Sequence, residues 1–257
     1  MNFKEKVVLI TGGTHGIGLA IAKELSSQGA KVIITGRSLT KADHAITELG
    51  AKATFIQCDI SIQESVSSLF KEIVSKFGGL DFSINNAGIT SKRNKVAEMD
   101  VEDWKNTFDI NVTGTMLCMK YGLPLIAKNP QGAIVNISSC AGVTPIPNQS
   151  AYSASKSAVN CLTQAAAIEY AQDSKHGYAV RINAIAPGPT LGGMNTPERL
   201  AANPESTKQK LAVTAMKRMA EPKEVVSAVL FLLGEQSSYV TGTVLNVDGG
   251  YSSGKFS

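Results

Sequence analysis

The chain reads as an α/β protein: a single doubly wound, Rossmann-type domain of about seven parallel strands with helices on both faces. Two patterns predict this. Short β-branched runs alternate with longer stretches of helical period along the whole length. The run Ala133-Ile134-Val135-Asn136-Ile137 is almost continuously apolar, as a strand buried on both faces is. A third observation sets the size, since 257 residues suit one large domain with a full core and are short for two.

The strands are predicted at 7–10, 31–35, 53–57, 80–85, 132–138, 178–186 and 243–247. Helices are predicted near 17–28, 41–49, 62–77, 101–128, 152–173 and 222–233, with Pro222 as a first-turn residue of the last. The stretch 188–214 breaks the alternation with proline, glycine and asparagine and only a weak helical pattern near 198–212. It leaves the carboxyl end of the sixth strand, where ligands bind in open parallel sheets, and is predicted to be a lid inserted into one domain spanning 1–257.

Composition narrows the function. With 43% apolar and 18% charged residues the chain is neither disordered nor fibrous. A net charge of +4 without a long like-charge run gives little support to a nucleic-acid surface, for which Lys92-Arg93-x-Lys95 is the sole argument. No window holds the roughly 20 apolar residues of a membrane span. Val7-Val8-Leu9-Ile10 is too short for a signal-peptide core, so the expected compartment is the cytoplasm. Cys58, Cys118, Cys140 and Cys161 lie far apart, suggest neither a metal site nor a redox motif, and are expected to be buried free thiols.

After the first strand comes Thr11-Gly12-Gly13-Thr14-His15-Gly16-Ile17-Gly18, followed at once by a helical run. Glycines let backbone approach a pyrophosphate, and the helix offers unpaired N–H groups and a positive dipole end. The second strand ends in Thr35-Gly36-Arg37-Ser38, where an NAD-selective site would present an acid to the adenosine ribose. Arg37 instead offers a forked guanidinium to a ribose 2′-phosphate, which favours NADP(H) and leaves NAD(H) as the alternative if Arg37 points to solvent. His15 is a second donor for that phosphate, or a solvated residue at a helix start. Asp59-Ile60 follows the third strand, where the carboxylate could receive an adenine amino group or simply cap the next helix.

Ser138-Ser139 ends the fifth strand, and a loop leads to Tyr152-Ser153-Ala154-Ser155-Lys156. Four residues apart on a helix, Tyr152 and Lys156 share a face, so an ammonium can lower the pKa of a phenol that is otherwise a poor acid–base at neutral pH. Together with Asn85-Asn86-Ala87-Gly88, Asn111, Asn183-x3-Pro187-Gly188 and Asn246-x-Asp248-Gly249-Gly250, these motifs make the chain resemble the short-chain dehydrogenase/reductase family over essentially its whole length.

The resemblance, to a branch like the 3-oxoacyl-(acyl-carrier-protein) reductases, implies an oxidoreductase that interconverts a ketone and a secondary alcohol by hydride transfer with a nicotinamide. It assigns Tyr152 as acid–base, Ser139 to the substrate oxygen, Lys156 to the nicotinamide ribose and the Tyr152 pKa, and Asn111 to a water of the proton relay. Ser139 is preferred to Ser138 for its thirteen-residue separation from Tyr152. Gly12, Thr14, Gly16, Ile17 and Gly18 with Asn86, Ala87 and Gly88 are assigned to the nucleotide, and Pro187-Gly188 to the nicotinamide. The chain departs from the family at Pro189-Thr190-Leu191-Gly192, so Thr190 or Thr196 stands in for the usual threonine. Homodimers or homotetramers are implied through the helices near 101–128 and 152–173, with Ala165-Ala166-Ala167 a flat face for helix packing or for the chain's own sheet. Enoyl reductases of this kind space Tyr and Lys by seven, not four.

The substrate pocket is expected from loop 140–149 and the lid. Val143, Ile146, Leu191, Met194 and Met216 are candidates to line it, and no arginine is placed inside to demand a carboxylate. Steroid, polyol and xenobiotic carbonyl substrates stay open, and a non-catalytic dinucleotide-binding regulator is the alternative from another class.

Overall fold

A computed structural model describes residues 3–50, 53–172 and 177–254. Seven strands form one sheet: β1 Val7–Thr11, β2 Lys31–Gly36, β3 Ala53–Gln57, β4 Phe82–Asn85, β5 Ala133–Ile137, β6 Arg181–Pro187 and β7 Val244–Val247. Their order is β3-β2-β1-β4-β5-β6-β7, and every pairing is parallel. The chain reverses its direction of travel between β1 and β4, which opens a crevice at the carboxyl ends of the strands. Each strand sends alternate residues to opposite faces. Leu9 and Ile134 therefore join a core with helices α3 (Gln63–Phe77), α5 (Gly114–Ile126) and α6 (Ser150–Glu169). Ile10 and Val135 join a second core with α1 (Gly16–Ser27), α2 (Leu39–Leu49) and α9 (Pro222–Leu233). Both faces are covered, which explains why β5 is apolar but for Asn136.

Three predicted elements differ in the structure. The single helix expected over 101–128 is α4 (Val101–Phe108), a π-helical turn at Asp109–Thr113, and then α5. The lid helix expected near 198–212 is split into α7 (Pro197–Ala202) and α8 (Pro204–Ala212), because Asn203 before a proline leaves the helical region, at φ −137° and ψ 66°. The strand expected from 178 begins at Arg181. Tyr178 and Val180 donate instead to Ala127 and Tyr170, at the ends of α5 and α6. The last residue of the helix expected over 152–173 lies outside the described residues; α6 itself ends at Glu169.

A buried polar line fixes α6 on the sheet. Asn136 accepts from Asn85 Nδ2 at 2.8 Å and donates to Thr163 Oγ1 at 2.9 Å. Ser138 Oγ donates to the Lys156 carbonyl at 3.1 Å. These bonds set the rotation and height of the helix that carries Tyr152 and Lys156. Ala166 and Ala167 are buried against the chain's own sheet. Cys58, Cys118 and Cys140 are buried as expected, but Cys161 is exposed, because it lies on the outward face of α6. Among the described residues no helix is long and apolar enough to cross a membrane.

Candidate active site

A cavity of about 870 Å³ opens at the carboxyl ends of the strands and runs under the lid. One end is built by the β1–α1 turn. Gly12 sits at φ +64°, and a Cβ there would meet Ala87 Cα at 2.9 Å. Asn86 brackets this turn, with Nδ2 donating to the carbonyls of Thr11 and Gly12 at 2.9 and 3.1 Å. Thr11 Oγ1 in turn accepts from the N–H groups of Asn86 and Ala87, each at 3.0 Å. His15 precedes α1 without a side-chain cap bond, and no acid stands in the first turn. The helix therefore presents its positive end to the cavity.

The lid already touches this turn. A Cβ on Gly16, which sits at φ +59°, would lie 2.9 Å from Gly193 Cα. Gly16→Ala is expected to cost about 1–2 kcal/mol for the left-handed backbone alone and to push the lid off the turn. The measurement is paired: a lower Tm, and a dinucleotide affinity weakened at least about tenfold, or 1.4 kcal/mol. An unchanged affinity would show that the contact has no bearing on binding.

At the second strand's end, Arg37 is mostly exposed and its Nη1 lies 3.9 Å from Asp59 Oδ2, a weak surface pair. Asp59 Oδ1 accepts from the Ser61 N–H and hydroxyl at 3.0 and 2.6 Å, so one carboxylate oxygen serves the turn into α3 and the other faces Arg37. Lys41 and, from the lid, Arg199 line the same end. The His15 imidazole is held below its usual pKa, first by burial and then by the charges of Lys41 and Arg199. Lys41 and Arg199 thus add positive charge where the sequence placed only Arg37 and His15.

The other end holds Ser139, Tyr152 and Lys156. Ser139 Oγ accepts from the Ala141 N–H at 3.1 Å. Burial pushes the Tyr152 phenol up, and a hydrogen bond with Ser139 opposes that shift. Lys156 is 4% exposed; its Nζ donates to the Ile137 carbonyl at 2.8 Å and lies 5.9 Å from the centre of the Tyr152 ring. Burial lowers the Lys156 ammonium to about 8. The two groups share one poorly solvated pocket, and burial is the first cause of both shifts. Gly88 leaves room for the ammonium, since a Cβ there would lie 3.3 Å from Lys156 Nζ.

Asn111 is fully buried in the π-helical turn, behind the cavity wall. Its Oδ1 accepts from the Ile89 N–H at 2.8 Å, and Nδ2 donates to the Ile89 carbonyl and Ser155 Oγ at 2.9 and 3.0 Å. The amide ties the segment after β4 to α6.

A tight glycine turn at a helix start, a Ser–Tyr–Lys cluster and one cavity joining them stand on a parallel sheet. The family model described as "Enoyl-(Acyl carrier protein) reductase" matches residues 12–252. The chain belongs to the short-chain dehydrogenase/reductase family. This SDR is 37% identical over 251 residues to 2,5-dichloro-2,5-cyclohexadiene-1,4-diol dehydrogenase of Sphingobium indicum, covering 96% of this chain and 97% of that one. It is 36% identical over 257 residues to cis-4-hydroxycyclohexanecarboxylate dehydrogenase of Sinomonas cyclohexanicum, covering 97% and 98%. Among solved structures, levodione reductase superposes with a TM-score of 0.90 at 32% identity, covering 98% of this chain and 100% of that one. The SDR is an oxidoreductase that acts on CH–OH groups, interconverting alcohol and ketone.

The remaining predicted residues of the SDR fall into place unevenly. Thr14, Ile17, Ile60, Pro187, Gly188 and Thr190 line the cavity. Thr190 Oγ1 donates to the Gly188 carbonyl at 3.0 Å, whereas Thr196 caps α7 and stays out of the cavity. Ile146, Leu191 and Met194 line the cavity, Met194 close to the end that holds His15, Lys41 and Arg199; Val143 and Met216 do not, and both are exposed. Arg93, read from the sequence as part of a basic surface loop, lines the cavity and corrects the expectation that no arginine enters it. Lys210 joins it there. Ser206, Gln209, Lys210 and Val213 all face inward at i, i+3, i+4 and i+7, a helical spacing that could have marked the lid's inner face.

Proposed function

We propose that this SDR prefers NADP(H) and uses it to interconvert a ketone and a secondary alcohol of moderate size, with Tyr152 as acid–base. The cluster of His15, Arg37, Lys41 and Arg199 at the adenosine end carries the cofactor choice. Four basic side chains with one weakly engaged carboxylate, Asp59, fit a dianionic 2′-phosphate better than a neutral ribose hydroxyl. The cradle of Gly12 and Gly16, in which a Cβ would clash, and the uncapped start of α1 fit the pyrophosphate. When bound, the nicotinamide supplies or accepts the hydride. Tyr152 gives or takes the hydroxyl proton at Oη, and Ser139 Oγ holds the substrate oxygen. Lys156 keeps two N–H groups beyond its bond to Ile137 for the ribose. Asn111 acts as a positioning residue that holds Ile89 against α6.

Named relatives that act on ring alcohols, and the aliphatic lining of Ile146 and Leu191, support a cyclic substrate. The four-residue spacing of Tyr152 and Lys156 favours alcohol and ketone over enoyl chemistry. Exposed Trp104 on α4 and Ile168 on α6 suit a homodimer or homotetramer. Parallel titration with NADPH and NADH tests the cofactor choice. NADPH is expected to bind at least about tenfold more tightly, a difference of 1.4 kcal/mol, and Arg37→Ala is expected to erase most of that preference. Equal or tighter binding of NADH would overturn the choice and favour an NAD(H)-dependent dehydrogenase.

A further inference from the structure

We infer that Arg93 and Lys210 form an anion subsite at the substrate end of the cavity, one that takes a ring alcohol or ketone bearing a carboxylate. The inference rests on the alcohol–ketone reading above and deepens it. The two side chains come from opposite walls. Arg93 lies on the loop after β4, and that loop is tied to the substrate loop: Asn94 N–H donates to the Asn148 carbonyl at 3.0 Å, and Asn94 bridges to Gln149, three residues before Tyr152. Lys210 lies on α8 of the lid, where its Nζ donates to Asn195 Oδ1 at 2.7 Å. Asn195 Nδ2 is itself bonded to the Thr190 carbonyl at 2.8 Å, so the ammonium is held by the segment that leaves β6.

Both cations line the same cavity, and neither has an ion-pair partner among the described residues. Asp59 is the one carboxylate among the lining residues, and it faces Arg37 at the adenosine end. Burial and then the charge of Arg93 lower the Lys210 pKa, so the two cations sense each other. Like charges brought together without a counterion are unfavourable, and an anion between them relieves the repulsion. The cofactor's own phosphates have another place, at the start of α1 and the cluster around Arg37. What remains for Arg93 and Lys210 is the substrate, and a forked guanidinium beside an ammonium suits a carboxylate.

The test compares cis-4-hydroxycyclohexanecarboxylate with its neutral methyl ester for wild type, Arg93→Gln and Lys210→Gln. In parallel, calorimetry follows cyclohexanecarboxylate binding to the NADP⁺-loaded proteins. Wild type is expected to prefer the acid in kcat/KM, and each variant to lose about 10- to 100-fold of that preference, the worth of a charge-assisted hydrogen bond. The loss is expected in KM, together with weakened cyclohexanecarboxylate binding. Turnover of both substrates without a preference, or a preference that survives in both variants, overturns the subsite. So does an equal weakening of NADPH binding in both variants, which would assign the cations to the cofactor. If neither substrate turns over but cyclohexanecarboxylate binds wild type and not the variants, the subsite stands and the catalytic reading falls. If wild type neither turns over nor binds, both fall.

Discussion

Tyr152→Phe is expected to lower turnover by about 10²–10⁴-fold, the usual worth of a positioned general acid–base, while leaving dinucleotide affinity near that of wild type. The phenol lines the cavity in contact with Ser139, whose Oγ accepts from the Ala141 N–H. The pH dependence has a sign. Burial holds the phenol above its ordinary value, so it is protonated at neutral pH. Ketone reduction, which needs that proton, is expected to be fast at neutral pH and to fall in the alkaline range. Alcohol oxidation, which needs the ionised form, is expected to climb there. Steady-state rates in both directions between pH 6 and about 10.5 check this, and a Phe variant that keeps a tenth of wild-type activity would remove Tyr152 from its role.

Lys156→Met is expected to destroy activity and yet stabilise the fold. The ammonium is nearly fully buried, and its pKa drops from 10.5 to about 8. At 1.36 kcal/mol per decade that drop corresponds to roughly 3 kcal/mol against the charged form. Between pH 8 and 10.5 the unfolded chain binds the proton that the folded chain has lost, so stability rises with pH through this window. The cost is complete below pH 8. Loss of the bond to the Ile137 carbonyl returns about 1 kcal/mol. The net gain for Lys156→Met at pH 7 is then about 1–3 kcal/mol, read as a Tm higher by about 2–4 °C per kcal/mol. The gain should fade as pH approaches 10.5. A variant no more stable than wild type at pH 7, or a difference indifferent to pH, would refute the burial argument. A functional residue that destabilises its own fold is what a tuned site requires.

The sheet was legible because its strands are short β-branched runs between helices of clear period, and because β5 is apolar on both faces. The β1–α1 turn and the Tyr152–Lys156 pair were legible because each is local: a few residues set the whole geometry. What escaped depends on contacts distant in sequence. The π-helical turn at Asp109–Thr113 exists where Asn111 reaches Ile89 and Ser155, 22 and 44 residues away. The break in the lid helix was marked by Pro204, but the weak periodicity around it hid two short helices. Arg93 and Lys210 are 117 positions apart in numbering, and only the fold brings their two walls to one cavity. Lys41 and Arg199 meet His15 for the same reason.

The most direct test of the central claim follows a labelled hydride. Purified protein is incubated with cyclohexanone and NADPH deuterated at the transferable position of the nicotinamide, and the alcohol is analysed for deuterium at its carbinol carbon. The predicted result is deuterated cyclohexanol from wild type and at most about a hundredth as much from Tyr152→Phe over the same time. Tight NADPH binding with no labelled alcohol from wild type, across cyclohexanone and ring ketones bearing a carboxylate, would contradict it and leave a dinucleotide-binding protein without this chemistry.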